Sequence, residues 1–149
     1  MTVWNKGSYR ITTDRASLDF DAIHAFLAGT YWAGDIPKAT LRRALEGSLC
    51  FGLLDADGRQ AGFARVVTDR ATFAYLADVY VLDAHRGRGL ARWLMEVIVG
   101  HPELQGLRRW MLATRDAHAL YRKFGFKPLA APDRFMELHF PDVYRSKAA

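Results

Sequence analysis

Apolar residues recur along this chain at two spacings, and the changes from one spacing to the other mark its elements. Residues 9–13 alternate in the manner of a strand. Residues 17–27 then carry Leu18, Ile23, Phe26 and Leu27 on one helical face, with Gly29 just past the end. A second helix is predicted over 37–45, with Pro37 in the first turn, where a missing N–H costs nothing. Leu49–Leu54 and residues 62–67 flank Asp57-Gly58, the dipeptide of a tight hairpin turn. Residues 73–82 are apolar at both parities, as in a strand covered on both faces. Over Leu90–Val99, residues Leu90, Trp93, Leu94, Val97 and Ile98 recur at helical spacing, Arg92 and Glu96 share the opposite face, and Gly100 and Pro102 end the run. A strand at 110–113, a short helix at 117–124 and a last strand at 135–140 complete the order β-α-α-β-β-β-α-β-α-β. That order predicts an α/β fold, a mixed sheet flanked by helices, in a single domain spanning 1–149.

Length and composition agree with this reading. A chain of 149 residues, 50% hydrophobic and 25% charged, can bury the core of one globular domain. No apolar run approaches the roughly 18 residues that span a bilayer, and residues 1–6 lack the apolar core of a secretory signal. Cys50 is the only cysteine, so neither an internal disulfide nor a cysteine metal cluster can form, and its apolar neighbours suggest a packed thiol. A reducing, cytoplasmic setting is therefore expected. The net charge of +5 and pI near 9.6 invite a nucleic-acid reading. The basic residues are dispersed, however, apart from one glycine-interleaved cluster around Arg86 and Arg88. A compact cluster suits a small polyphosphate better than a duplex.

That cluster, Arg86-Gly87-Arg88-Gly89-Leu90-Ala91, joins the apolar strand directly to the helix at Leu90. Glycines let a backbone approach a ligand closely, and the free N–H groups and dipole of a helix start attract anions. Two familiar phosphate loops do not fit. Gly89-Leu90-Ala91 lacks the Gly-Lys-Ser/Thr ending of a P-loop, and Arg92 stands where a dinucleotide fingerprint needs its third glycine. The segment does match the pattern [Q/R]-x-x-G-x-[G/A] of the GNAT acetyltransferase superfamily. A second segment, Ala117 to Phe126, resembles that family's A-x-x-L-Y-x-K-x-G-F, with Leu120, Tyr121, Lys123, Gly125 and Phe126 at the matching places.

The resemblance implies an acetyl-CoA-dependent N-acetyltransferase with a mostly antiparallel sheet and splayed central strands. It implies that Arg86, Gly87, Arg88, Gly89, Leu90, Ala91 and Arg92 hold the coenzyme A pyrophosphate, and that Val79, Tyr80 and Val81 run beside the pantetheine arm and thioester. A backbone amide near Val81 would stabilise the oxyanion, and Tyr121 would protonate the departing thiolate. The family's frequent asparagine, seven residues before this tyrosine, is Thr114 here, and Asp116 is the expected helix cap in its stead. The resemblance also implies direct transfer from thioester to amine, which agrees with the absence of a Ser/His/Asp or Cys/His nucleophile motif.

Asp78 is the only charged residue between Phe73 and Leu82, which makes it a candidate base or, equally, half of an ion pair with a nearby arginine. Tyr75 shares a strand face with Ala77, Val79 and Val81 as long as no bulge intervenes. The loop at 30–37 offers Tyr31 and Trp32 either for an amine acceptor, with Asp35 able to meet an ammonium, or, equally, as rings that close the core under a loop. Isolated His24, His85, His101 and His118 have no metal spacing, and no metal is expected. A small-molecule amine is slightly favoured over a protein amine as acceptor, and a homodimer is compatible with the apolar content. Two readings from other classes stay open: a basic nucleic-acid-binding module, and an acyl-CoA sensor that binds without turnover.

Overall fold

Six strands form one sheet whose spatial order follows the chain, in a computed structural model that describes residues 2–148. Strands β1 (Val3–Lys6) and β2 (Tyr9–Thr12) make an antiparallel hairpin, turned at Gly7, whose φ is 60°. The periodic pattern does not reveal β1, because it has only four residues and three of them are exposed. Trp4 holds it down, lying against the rings of Phe51 and His101 at centroid distances of 6.3 and 5.7 Å. A 3-10 turn at Arg15–Ser17 follows, and Asp19 then accepts the Ala22 N–H at 3.0 Å to open α1 (Phe20–Leu27). That cap leaves residues 17–19 outside the helix expected to include them, with Leu18 extended. Helix α2 (Lys38–Glu46) begins just after Pro37.

Strands β3 (Leu49–Leu54), β4 (Gln60–Thr68) and β5 (Phe73–Val81) are antiparallel, and the Asp57-Gly58 turn joins the first two as the sequence predicts. The α1 and α2 residues Ile23, Leu27, Leu41 and Leu45 pack with Cys50, Phe63 and Tyr80 of the sheet. Helix α3 (Leu90–Val99) buries Leu94, Met95 and Ile98 in a second cluster, with Phe51, Val66 and Leu76. Burial pushes the Cys50 thiol up to about 11, so it stays protonated as a packed group.

Strand β6 (Arg109–Leu112) is the sheet's last strand and lies parallel to β5. Helix α4 (His118–Arg122) comes next. The strand expected at 135–140 does not form. The segment has the right alternation, but no strand of its own chain pairs with it, and Met136 is 98% exposed. The chain instead ends in α5 (Val143–Ala148), too short to announce itself by periodicity. Tyr144 packs with the α1/α2 cluster, and Arg145 meets Asp35 at 3.2 Å. Among the described residues no helix is long and apolar enough to cross a membrane.

Candidate active site

The site is built on a divergence of β5 from β6. The two strands pair only from Phe73 to Leu76, opposite Arg109 to Leu112, while β5 continues to Val81 without that neighbour. On its other edge β5 pairs with β4, and the register slips between Phe63 and Arg65 opposite Ala77 to Tyr80. Asp78 takes φ 56° within this irregularity. The result is a bulge that changes strand parity. Ala74 and Leu76 face the α3 cluster, and so do Val79 and Val81, whereas Tyr80 faces α1. Tyr75 therefore does not share a face with Val79 and Val81, as unbroken alternation would have it.

Past the bulge, Leu82 donates to Ala61 on β4 at 2.8 Å, so by alternation the Val81 peptide groups point to the open side. Arg86 Nε donates to the Val81 carbonyl there at 3.2 Å, and the Val81 N–H faces the gap. The chain then turns through Asp83–His85 into the glycine loop. Gly87 and Gly89 have φ of 78° and 72°, and a Cβ on either would meet no atom within 4 Å. These are left-handed turns beside open space, as a cradle for a large anion requires. Gly89 caps α3, whose first N–H groups at Leu90, Ala91 and Arg92 lie beyond the reach of helical acceptors. Arg86 is steadied by Asp83 at 2.9 Å, and Arg88 by the Tyr9 hydroxyl at 3.1 Å, which also meets His85 Nδ1 at 2.7 Å.

Two cavities meet at the gap. One of about 410 Å³ is bounded by Val81, the glycine loop and Leu120. The other, about 1080 Å³, lies among the 30–36 loop, Tyr75, Asp78 and residues 112–117. Val79, Tyr80, Arg86, Ala117 and Tyr121 line both. Tyr121, buried on α4 against Phe126, thus stands at their junction. Burial pushes its phenol up to about 12, with Tyr31 and Asp116 adding to the effect, so it keeps its proton at neutral pH. Thr114, not Asp116, receives the Ala117 N–H at the start of α4, at 3.1 Å.

The wider cavity holds the expected acceptor residues. The Tyr31 and Trp32 rings meet edge to face at 5.0 Å, about half exposed. Trp32 Nε1 donates to Asp78 Oδ1 at 2.9 Å, while Arg65 Nε donates to Oδ2 at 2.7 Å. Asp78 is thus buried in an ion pair, and Arg65 also donates to the Ser48 hydroxyl at 3.2 Å. Asp35 lies outside this group, held by Arg145. Sequence reasoning missed Arg65, Arg115 and Tyr144, although all three line the cavity. Arg115 stacks its guanidinium on Tyr31 at 3.9 Å and gives the Tyr31 oxygen its N–H at 3.1 Å. A basic residue in an otherwise apolar strand was a signal for Arg65; nothing local marked Tyr144. No group of three His, Cys, Asp or Glu side chains that could hold a metal occurs among the described residues.

The family model described as an acetyltransferase (GNAT) domain matches residues 47–128, which include the glycine loop and Tyr121. The chain belongs to the GNAT acetyltransferase family. A curated Gibberella zeae protein named "putative acetyltransferase" is 39% identical, over 80% of this chain and 79% of its own. A crystal structure of a "putative acetyltransferase belonging to the gnat family" from Xanthomonas campestris pv. campestris is 50% identical, with TM-score 0.90 over 94% of this chain and 99% of that one. A Clostridium acetobutylicum protein described as a "predicted acetyltransferase with acetyl-CoA" shares the fold at 15% identity, with TM-score 0.58 over 88% of this chain and 94% of its own. The mostly antiparallel sheet, parallel only at β5 and β6, is thus the GNAT fold.

Proposed function

We propose that this single-domain GNAT protein transfers the acetyl group of acetyl-CoA directly to an amine bound in the wider cavity. The observation that carries the reading is the continuity of three features: the open edge of β5, the glycine cradle at the start of α3, and Tyr121 at the meeting of two cavities. A long donor with a polyphosphate at one end and a thioester at the other suits that path. The residues fit it: Gly87 to Arg92 offer N–H groups and positive charge, and Val79 to Val81 offer a free strand edge.

In this reading the amine enters past Tyr31, Trp32 and Tyr75 and attacks the thioester carbonyl beside Val81. The Val81 N–H, aimed at the gap, stabilises the oxygen on which charge develops. Tyr121, protonated at neutral pH, donates to the sulfur as the carbon–sulfur bond breaks. The ammonium must first lose a proton. Asp78 lies in the acceptor cavity, but Arg65 and Trp32 already hold both its oxygens. Its role is therefore to set the charge and position of the acceptor, and proton transfer goes to solvent through the open cavity. The aromatic walls favour a small amine, and a single buried cysteine, Cys50, is compatible with the cytoplasm.

Tyr121→Phe tests the chemistry. Turnover with an accepting amine, followed by free-thiol release, should fall on the order of 10²-fold or more, while acetyl-CoA affinity stays within about twofold. Equal loss of affinity and turnover would make Tyr121 a packing residue only.

A further inference from the structure

Five charged side chains line the wider cavity: Arg65, Asp78, Arg86, Arg115 and Asp116. Three are already matched. Arg65 and Asp78 pair with each other at 2.7 Å, while Arg86 pairs with Asp83 at 2.9 Å and donates to the Val81 carbonyl. A cation and an anion remain, Arg115 and Asp116, and among the described residues neither has an ion-pair partner.

Arg115 is nevertheless held in place. Its guanidinium stacks on the Tyr31 ring at 3.9 Å, and its backbone N–H donates to the Tyr31 oxygen at 3.1 Å. The N–H groups of a guanidinium lie in its own plane, so one resting on a ring directs them outward and keeps the fork that grips a carboxylate free. Arg115 does not line the narrower cavity at the glycine loop, so its charge is not part of the polyphosphate cradle. The Asp116 carboxylate acts towards Tyr121, where it adds to the effect of burial and Tyr31 on the phenol. The same cavity carries the Tyr31 and Trp32 rings, about half exposed, as an apolar wall for a ligand.

We propose that the acceptor is an amino carboxylic acid with an aromatic side chain. Arg115 takes its carboxylate, the exposed Tyr31 and Trp32 rings take its side chain, and Asp116 draws its ammonium towards Tyr121. The inference rests on the acetyl-transfer reading and gives it a substrate class. A polyamine would meet three guanidinium groups against two carboxylates, and a protein amine would bring no α-carboxylate to Arg115. In the transfer, the new C–N bond forms as the C–S bond breaks, giving an N-acetyl amino acid and coenzyme A. Of the three ammonium protons, one leaves to solvent before attack and one stays in the amide. The third replaces, through solvent, the proton that Tyr121 gives to sulfur.

Phenylalanine and phenethylamine, which differ only in the carboxylate, are the probes. With the native protein and acetyl-CoA, kcat/KM for free-thiol release should be on the order of 10–100-fold higher with phenylalanine, as a charge-assisted pair provides. Arg115→Gln should bring that ratio close to one. Arg115→Lys, which keeps the charge but not the fork, should leave an intermediate ratio. Arg115 is exposed, so both variants should fold. A second measurement needs no turnover: phenylalanine titrated into protein saturated with coenzyme A should bind, and Arg115→Gln should weaken that binding about tenfold or more. Equal or better use of phenethylamine by the native protein, or an unchanged ratio in Arg115→Gln, would overturn the substrate class and leave acetyl transfer standing. Acetyl-CoA binding without phenylalanine binding or turnover would overturn it too. A native protein that does not bind acetyl-CoA would overturn both readings.

Discussion

Asp78 occupies a left-handed backbone conformation, φ 56°, in the middle of a strand, which costs on the order of 1 kcal/mol for a residue other than glycine. What holds it there is the pair of bonds to its carboxylate from Trp32 and Arg65. Asp78→Asn would keep an acceptor for the indole but present an amide donor to Arg65, leaving a mostly buried cation unpaired. The expected loss is about 3 kcal/mol, read from urea unfolding. An unchanged midpoint would show that the ion pair is not what fixes the bulge. His101 gives a second residue-scale prediction. It is buried, accepts the Glu103 N–H on Nδ1, and has its pKa lowered, chiefly by burial. With a folded value below the ordinary 6.5, the unfolded chain takes up the proton first. The stability contributed at higher pH is therefore lost as pH falls through and below that value. His101→Gln should flatten this part of the stability–pH curve; an unaltered curve would assign the slope elsewhere.

At the scale of elements, what was legible in the sequence was what local pattern determines. The glycine loop and α3 could be read because capping, helical periodicity and basic charge all lie within about a dozen neighbouring residues. The β3–β4 hairpin could be read because its turn residues dictate its geometry. The bulge could not, since it depends on β4 and β5 slipping past one another, and its stabilising partner Arg65 lies 13 residues away in sequence. Tyr144 and Arg115 escaped for the same reason: only the fold brings α5 and the residues after β6 to the 30–36 loop. At 135–140 the alternation was real, but a strand needs a partner, and none of the described strands pairs with it. Gly62 tests the coupling between β4 and the site. A Cβ there would meet the Tyr80 carbonyl at 2.7 Å and Leu53 at 3.0 Å. Gly62→Ala should therefore displace β5 beside Val79 to Val81, lowering both melting temperature and turnover. Full activity with a native melting temperature would show that the strand edge is not part of the site.

For the whole molecule, the proposed function has the parts converge on one path for one ligand. The sheet opens where β5 outlasts β6, the positive start of α3 lies at one end of the opening, and the wider cavity lined by Tyr31, Trp32 and Tyr75 lies at the other. A net charge of +5 adds a general attraction for a polyanion. The most direct measurement is calorimetric titration of the native protein with acetyl-CoA, repeated on Gly89→Glu. Gly89 faces open space, so the variant costs only the left-handed strain, roughly 1–2 kcal/mol, while it places a carboxylate in the cradle. Micromolar binding by the native protein, abolished in a variant that still melts cooperatively, is the expected result. No binding by the native protein, or equal binding by both, would contradict the account.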